Sequence, residues 1–337
     1  GVALVARAKD RAEQRIIGRV FLLLGTLLLP LNPWFWLQSG LIEDRGNAWI
    51  VTLVTFAVST AIAFGLGDRI FVVLSYAFAM ATGWLLTYKL SGGAPAGAYA
   101  LSIVGVSLVY VVGEWAVSRA RPDDEKWVGL AEVMFWCGHI GLAFTVIFYS
   151  AIAWFVPGEL LAAFHHFTGE NQTPLVLTSV PALAAVGYYW SAWRQKQQAW
   201  TFVGAAVTAW SVTEWLLSQH VRPGSWLIAA AVVAAVFHVV GRLLRSRDEF
   251  GPALESSGRA FAWIGFACVV IACFGYAAFD QPVRAATAAG ALLLAVTFAV
   301  DAVLERTGPP SFAATSIVWL LIGWAAHELG ASWTVTS

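Results

Sequence analysis

Five ionisable residues inside otherwise apolar segments are the strongest candidates for chemistry in this chain of 337 residues. An ionised side chain near the centre of a bilayer costs about 2.5 kcal/mol or more, so each one needs a partner, an interfacial position or a function. The predicted polar cluster consists of Glu114, Glu132, His139, His238 and Arg242. Carboxylate and imidazole groups in such a set are suited to relaying a proton or lining a polar path.

The spacing of these residues predicts three pairings. Glu132 and His139 share one face of a helix, as do His238 and Arg242, which are one turn apart. Glu114 and Arg242 fall at equivalent positions when two similar segments are aligned, which makes a pseudo-symmetric ion pair possible. A structural interpretation competes with these, because side chains within about two turns of a helix end reach the headgroups at modest cost.

Other chemistry has weaker support in the sequence. His139 and His238 are the only pair suited to axial haem ligation, and no partner motif accompanies them. Four further histidines lack the HxxxH or HExxH spacing of metal sites: His165, His166, His220 and His327. The three cysteines form neither an even disulfide set nor a CxxC pair. We therefore expect no metal and no cofactor, and a catalytic role is the less favoured reading.

Composition sets the class of protein. Apolar residues make up 59% of the chain and charged residues only 12%, against about 25% charged in an ordinary soluble domain. The mean hydropathy is +0.71. Twenty basic residues balance twenty acidic ones, so no basic excess points to nucleic acid. The chain is predicted to be an all-α polytopic membrane protein in contact with lipid.

Apolar runs of about 20 residues predict eleven transmembrane helices. They cover residues 16–36, 48–67, 70–88, 97–117, 129–156, 174–193, 199–218, 226–244, 259–279, 285–304 and 312–329. Residues 1–15 are predicted to form a cytoplasmic amphipathic lead-in, and 157–173 a short interfacial helix. The chain starts with Gly rather than Met, so we expect sequence to precede it.

Basic residues predict the orientation. With the N-terminus inside, sixteen of the twenty Lys and Arg residues fall in inner loops. Because these residues are retained on the cytoplasmic side, we expect a cytoplasmic N-terminus and an outer C-terminus, in a bacterial inner membrane.

Self-comparison predicts tandem repeats of four helices. Phe71, Val72, Thr82 and Trp84 in the third span match residues 131 positions later, from Phe202 to Trp215. The fourth and eighth spans share a Val-Val-Gly sequence, at Val111 and Val239, and the first, fifth and ninth spans begin at Gly18, Gly138 and Gly258. An even number of crossings makes the repeats parallel. The predicted domains are 16–128 and 129–257 as full repeats and 258–337 as an incomplete one.

Three classes of function follow. A non-catalytic membrane scaffold, or a subunit of a larger membrane assembly, is favoured because buried charge is scarce and the loops are short. A transporter or lipid-handling protein using the inner-leaflet polar cluster is the alternative, supported by the repeats. An intramembrane enzyme or haem protein is third. In the scaffold interpretation, other subunits or an additional helix would lie beside the ninth and eleventh helices.

Overall fold

The computed structural model describes residues 12–31, 47–91, 96–155, 174–218, 223–279, 285–306 and 308–328. These residues form eleven helices and no strand. The helices are α1 Ala12–Leu31, α2 Ala48–Leu66, α3 Arg69–Ser91, α4 Ala96–Ala120, α5 Glu125–Phe155, α6 Pro174–Gln195, α7 Gln198–Ser218, α8 Pro223–Leu243, α9 Gly251–Phe279, α10 Ala285–Glu305 and α11 Gly308–Glu328. Each helix overlaps one predicted span, so the all-helical class is confirmed.

Eight of the helices, α2–α5 and α8–α11, are long and apolar enough to cross a membrane. A helix forms its backbone hydrogen bonds within its own segment, and hydrocarbon offers the backbone no hydrogen-bonding partners. The chain is therefore a multi-pass membrane protein. Helix α1 contributes a shorter apolar segment over Ile16–Leu28, while α6 and α7 are rich in aromatic and hydroxyl side chains. That α1, α6 and α7 also cross the bilayer stays a prediction.

Some expectations lie outside the described residues. These include the interfacial helix at 157–173 and most of the lead-in at 1–15, of which only 12–15 are described, as part of α1. The largest error in the predicted boundaries concerns α9, which begins at Gly251 rather than at 259. Glu255 lies in this added segment, one turn before Arg259, and the hydropathy pattern assigned it to a loop.

The described chain falls into two compact units, 1–187 and 188–337. In the first unit, buried residues from four helices form one core: Ala63, Phe71, Val72, Tyr110 and Leu130. In the second unit the larger core draws on α8, α9, α10 and α11, and small residues such as Ala231, Ala291 and Ala313 are fully buried there. Small side chains let helices approach closely, as expected in lipid.

Short connectors with one left-handed residue recur three times. Gly67, Lys196 and Arg306 have φ values of 68°, 56° and 54°. In each case the next helix begins two residues later, at Arg69, Gln198 and Gly308. The left-handed residue ends one helix and reverses the chain, and Gly67 adopts this conformation without the steric cost that a side chain adds.

Two glycines bring helices into backbone contact in the same way, one in each unit. A Cβ at Gly138 of α5 would lie 2.8 Å from the Ser107 carbonyl oxygen and 3.0 Å from the Val111 nitrogen, both in α4. A Cβ at Gly258 of α9 would lie 2.8 Å from the Ala234 oxygen and 2.7 Å from the His238 nitrogen, both in α8. In both crossings the glycine rests on residues four apart in the partner helix.

Burial and connector positions bear differently on the register of the predicted repeat. Phe71 is fully buried whereas Phe202, its predicted counterpart, is 43% exposed, but Trp84 and Trp215, matched at the same offset of 131, are both 48% exposed. The left-handed connector residues Gly67 and Lys196 lie 129 residues apart. The register of the repeat stays a prediction.

The close α8–α9 crossing predicts a strong effect of adding a methyl group. Gly258→Ala should destabilise the protein by about 1–3 kcal/mol, because its Cβ would meet backbone atoms that cannot move aside. Gly105→Ala is the matched control, since nothing lies within 4 Å of that position, and helix propensity should make it neutral or stabilising. Thermal unfolding in detergent measures both. Equal melting temperatures for the two variants would contradict the packing described.

In the first unit, Asp68 of the connector between α2 and α3 forms a salt bridge with Arg19 of α1. Arg19 donates from Nη2 to Oδ1 at 2.6 Å, and the Ile70 backbone N–H donates to Oδ1 at 3.2 Å. Burial by itself raises the pKa of Asp68, but the hydrogen bonds from Arg19 and Ile70 bring that pKa below its usual value. A carboxyl with a lowered pKa stabilises the folded state above the unfolded pKa and loses this contribution as the pH falls.

Asp68→Asn should therefore lower the melting temperature at pH 7, and the difference from the wild type should shrink as the pH falls below about 4. Asp123→Asn is the control, because Asp123 is exposed in the connector between α4 and α5. Melting temperatures across this pH range provide the measurement. A difference that stays constant with pH would show that the ionised carboxylate is not what stabilises the connector.

Candidate functional site

Six ionisable side chains from three helices of the second unit meet in one group, which we name the charged cluster. Each helix supplies two residues four positions apart, so that both lie on one face. The members are His238 and Arg242 of α8, Glu255 and Arg259 of α9, and Asp301 and Glu305 of α10. The pairs occupy the last turns of α8 and α10 and the beginning of α9, so the cluster lies at one end of the three helices.

Arg242 connects all three helices. Its Nε donates to Nε2 of His238 at 2.9 Å, within α8. Its Nη2 lies 3.2 Å from Asp301 Oδ1 on α10 and 3.3 Å from Glu255 Oε1 on α9, and 3.8 Å from Glu305 Oε1. A cation in the last turn of α8 is also favoured by the helix dipole.

Arg259 makes a second set of bridges. Its Nη2 donates to Glu255 Oε1 at 3.0 Å and to Asp301 Oδ1 at 3.3 Å. The same nitrogen contacts Glu305. Each arginine thus pairs with carboxylates on both α9 and α10, which fixes the relative position of these helices at this end of the unit.

Burial within the charged cluster is graded. The side chains of His238, Glu255 and Asp301 are less than 10% exposed, whereas those of Arg242, Glu305 and Arg259 are 22%, 29% and 34% exposed. Removing charges from water is costly unless they are paired and hydrogen-bonded. The buried carboxylates of Glu255 and Asp301 are therefore paired with guanidinium groups whose own side chains are partly exposed.

A divalent metal is a competing interpretation of the deepest residues. One ligand atom each from His238, Glu255 and Asp301 lie within 4.8 Å of one another, a spacing that suits a metal ion. However, Arg242 donates to the histidine and to Asp301, and its Nη2 also lies 3.3 Å from Glu255. The guanidinium of Arg242 occupies the place of the cation, so these atoms serve as acceptors for arginine.

The structure brings together two of the five predicted site residues, His238 and Arg242. The predicted polar cluster left out the other four members, Glu255, Arg259, Asp301 and Glu305. Glu255 was assigned to a loop, because α9 was predicted to begin at 259. The signal that could have identified them is the repeated spacing of four residues in each of the three segments.

The other three predicted residues belong to the first unit. Glu132 lies 3.9 Å from Arg69, and both side chains are exposed. His139 is buried, with Nδ1 2.8 Å from the Phe135 carbonyl oxygen and its ring against the Phe135 ring. Glu114 is half-buried in α4. Pairing of Glu114 with Arg242, or of Glu132 and His139 with His238, would join the two units and stays a prediction.

A chain of hydroxyl groups links α2, α3 and α4 in the first unit. Ser75 Oγ lies 2.7 Å from Thr60 Oγ1 and 2.6 Å from the Tyr110 hydroxyl. The Tyr76 hydroxyl lies 2.8 Å from Ser107 Oγ, and the two tyrosine rings pack edge to face. Such interhelical hydrogen bonds contribute about 0.6 kcal/mol each on average in a membrane protein. Sequence analysis missed this network because isolated Ser, Thr and Tyr residues carry no charge signal.

The remaining histidines considered for metal binding, His165, His166, His220 and the side chain of His327, lie outside the described residues. Comparison with protein-family models, curated proteins and solved structures finds no match to this chain.

The charged cluster predicts a strong coupling between Arg242 and Asp301. Arg242→Met alone should destabilise the protein by about 3 kcal/mol, because it leaves buried carboxylates partly uncompensated. In a double-mutant cycle with Asp301→Asn, the coupling energy should be about 1–3 kcal/mol. Unfolding free energies of the four proteins in detergent provide the measurement.

The exposed pair Arg69 and Glu132 supplies the control cycle, using Arg69→Met and Glu132→Gln. Exposed ion pairs contribute about 0–1 kcal/mol, so the coupling there should be small. If both cycles give the same coupling energy, the charged cluster does not hold the three helices together.

Proposed function

We propose that this chain is a non-catalytic integral membrane scaffold, or a subunit of a larger membrane assembly. The observation that carries the proposal is that the charged residues of the charged cluster are engaged with one another. Arg242 and Arg259 each contact carboxylates from both α9 and α10. Buried charges used in this way hold helices in fixed positions, which is what a rigid assembly partner requires.

We further propose that the helices form parallel tandem repeats, two full and one incomplete. The left-handed connectors at Gly67, Lys196 and Arg306 support this proposal, as do the equivalent crossings at Gly138 and Gly258. In this arrangement all eleven helices cross the bilayer, with the N-terminus cytoplasmic and the C-terminus outside. The predicted site for another subunit or an additional helix, beside α9 and α11, belongs to the same proposal, as does a bacterial inner membrane as the location.

A transporter or lipid-handling protein is the second candidate. It is favoured by the depth of His238, Glu255 and Asp301 within apolar helices, and by the hydroxyl chain through the first unit. Polar groups at membrane depth frequently mark substrate or proton paths. An intramembrane enzyme or haem protein is the least supported, because the cluster's histidine is engaged by an arginine.

The scaffold proposal predicts a stoichiometric partner. When the full chain is extracted from its native membrane in a lipid-preserving polymer, native mass spectrometry should detect it in a complex of fixed stoichiometry. Deleting its gene should leave that partner unassembled or degraded, because an assembly subunit stabilises its neighbours.

The alternative is tested with the same purified chain in liposomes. Solute or lipid movement that depends on the wild-type chain and is lost in Arg242→Met, together with a chain that migrates alone after gentle extraction, would overturn the scaffold proposal. Arg69→Met is the control, since that exposed arginine should leave both measurements unchanged.

A further inference from the structure

His238 lies between a cation and an anion within the charged cluster. Its Nε2 accepts a hydrogen bond from Arg242 Nε at 2.9 Å and is 3.6 Å from Asp301 Oδ1. An Nε2 atom that accepts a hydrogen bond carries a free lone pair. The imidazole in this arrangement is therefore neutral, with its proton on Nδ1, and its basic nitrogen faces a carboxylate.

The formal charges of the cluster do not sum to zero. Arg242 and Arg259 carry two positive charges, and Glu255, Asp301 and Glu305 carry three negative ones, so one negative charge is uncompensated when His238 is neutral. An unbalanced charge at membrane depth is costly. One added positive charge makes the cluster neutral, whereas a divalent metal would leave it with an excess positive charge.

We propose that the charged cluster is a binding site for a single proton, taken up by Nε2 of His238. The lone pair of Nε2 forms the new N–H bond, and no other covalent bond changes. The ring then turns away from Arg242, so that the new Nε2–H donates to Asp301 Oδ1 and the Nε–H of Arg242 loses its acceptor. The proton comes from water and returns to water, so the step needs no further reactant.

Charged groups of both signs face His238 from α8, α9 and α10, and the two carboxylates attract a proton at Nε2 while the two guanidinium groups repel it. Asp301 faces it from α10, Glu255 and Arg259 from α9, and Arg242 from its own helix. The buried core of the cluster is reached from the side where Arg242, Glu305 and Arg259 are partly exposed. Proton exchange with water is therefore possible without unfolding the helices.

Proton uptake changes the contacts between helices. While His238 is unprotonated, Arg242 joins α8 to α9 and α10. Once His238 is protonated, His238 and Asp301 join α8 directly to α10. The site stands on this geometry and does not depend on the scaffold proposal. In a scaffold it would make the α8–α10 contact respond to pH, and in a transporter it would supply the coupling proton.

The test is a pH titration of the histidines of the full chain in lipid nanodiscs. NMR signals of the ¹⁵N- and ¹³C-labelled imidazole rings report their protonation at each pH. His238→Gln identifies the His238 signals by their loss. His139→Gln is the matched control, since His139 is equally buried but its Nδ1 lies against a backbone carbonyl. Should His238→Gln fail to fold, Asp301→Glu assigns the signals instead, because it perturbs the neighbouring ring while keeping the charge.

We expect the His238 ring to be neutral, with its proton on Nδ1, at high pH and to become an imidazolium in a single-proton step within the range where the protein stays folded. Asp301→Asn should move the midpoint to lower pH by roughly one to three units, because it removes the carboxylate facing Nε2. A His238 ring that stays neutral throughout the folded range would overturn the proposal. An unchanged midpoint in Asp301→Asn would do the same, whatever partner or transport activity the protein has.

Discussion

The cost of placing charge inside an apolar helix bundle is the constraint on which the second unit depends. Glu255 and Asp301 are almost fully buried in helices apolar enough to cross a bilayer. Such carboxylates are tolerated only when cations reach them. Arg242 and Arg259 supply those cations. Arg242 of α8 contacts carboxylates on α9 and α10, and Arg259 of α9 contacts two carboxylates on α10. The requirement for neutralisation therefore also determines how α8, α9 and α10 pack at this end.

Close backbone approach is the condition that makes these ion pairs possible. Gly258 lets α9 rest directly on the backbone of α8 near His238, and Gly290 lets α10 approach the α8 backbone near Leu227 and Ile228. Without side chains at these crossings, the helix axes come near enough for side chains one turn apart to interdigitate. The first unit uses the same device at Gly138, where α5 rests on α4. In that unit hydroxyl groups, rather than charges, bridge the neighbouring pair α3 and α4.

Two of the five residues of the predicted polar cluster, His238 and Arg242, meet in the charged cluster. His238 and Arg242 were identified because charged residues are rare in apolar runs and because a spacing of four puts them on one face. Glu255 on α9 was not identified, because the predicted span began only at residue 259. Glu255 belongs to the helix all the same, since its pairs with Arg242 and Arg259 offset the cost of burying its charge.

The sequence by itself determined the class of the protein and the approximate positions of its helices. In a bilayer, the backbone N–H groups of a long apolar run have no water to hydrogen-bond with. A helix pairs each of them with a carbonyl of the same segment, so such a run is predicted to be helical. Only the tertiary structure decided which polar residues meet. Three segments far apart in the chain contribute to one cluster, and their meeting depends on glycine contacts such as that of Gly258 with α8, which no local pattern encodes.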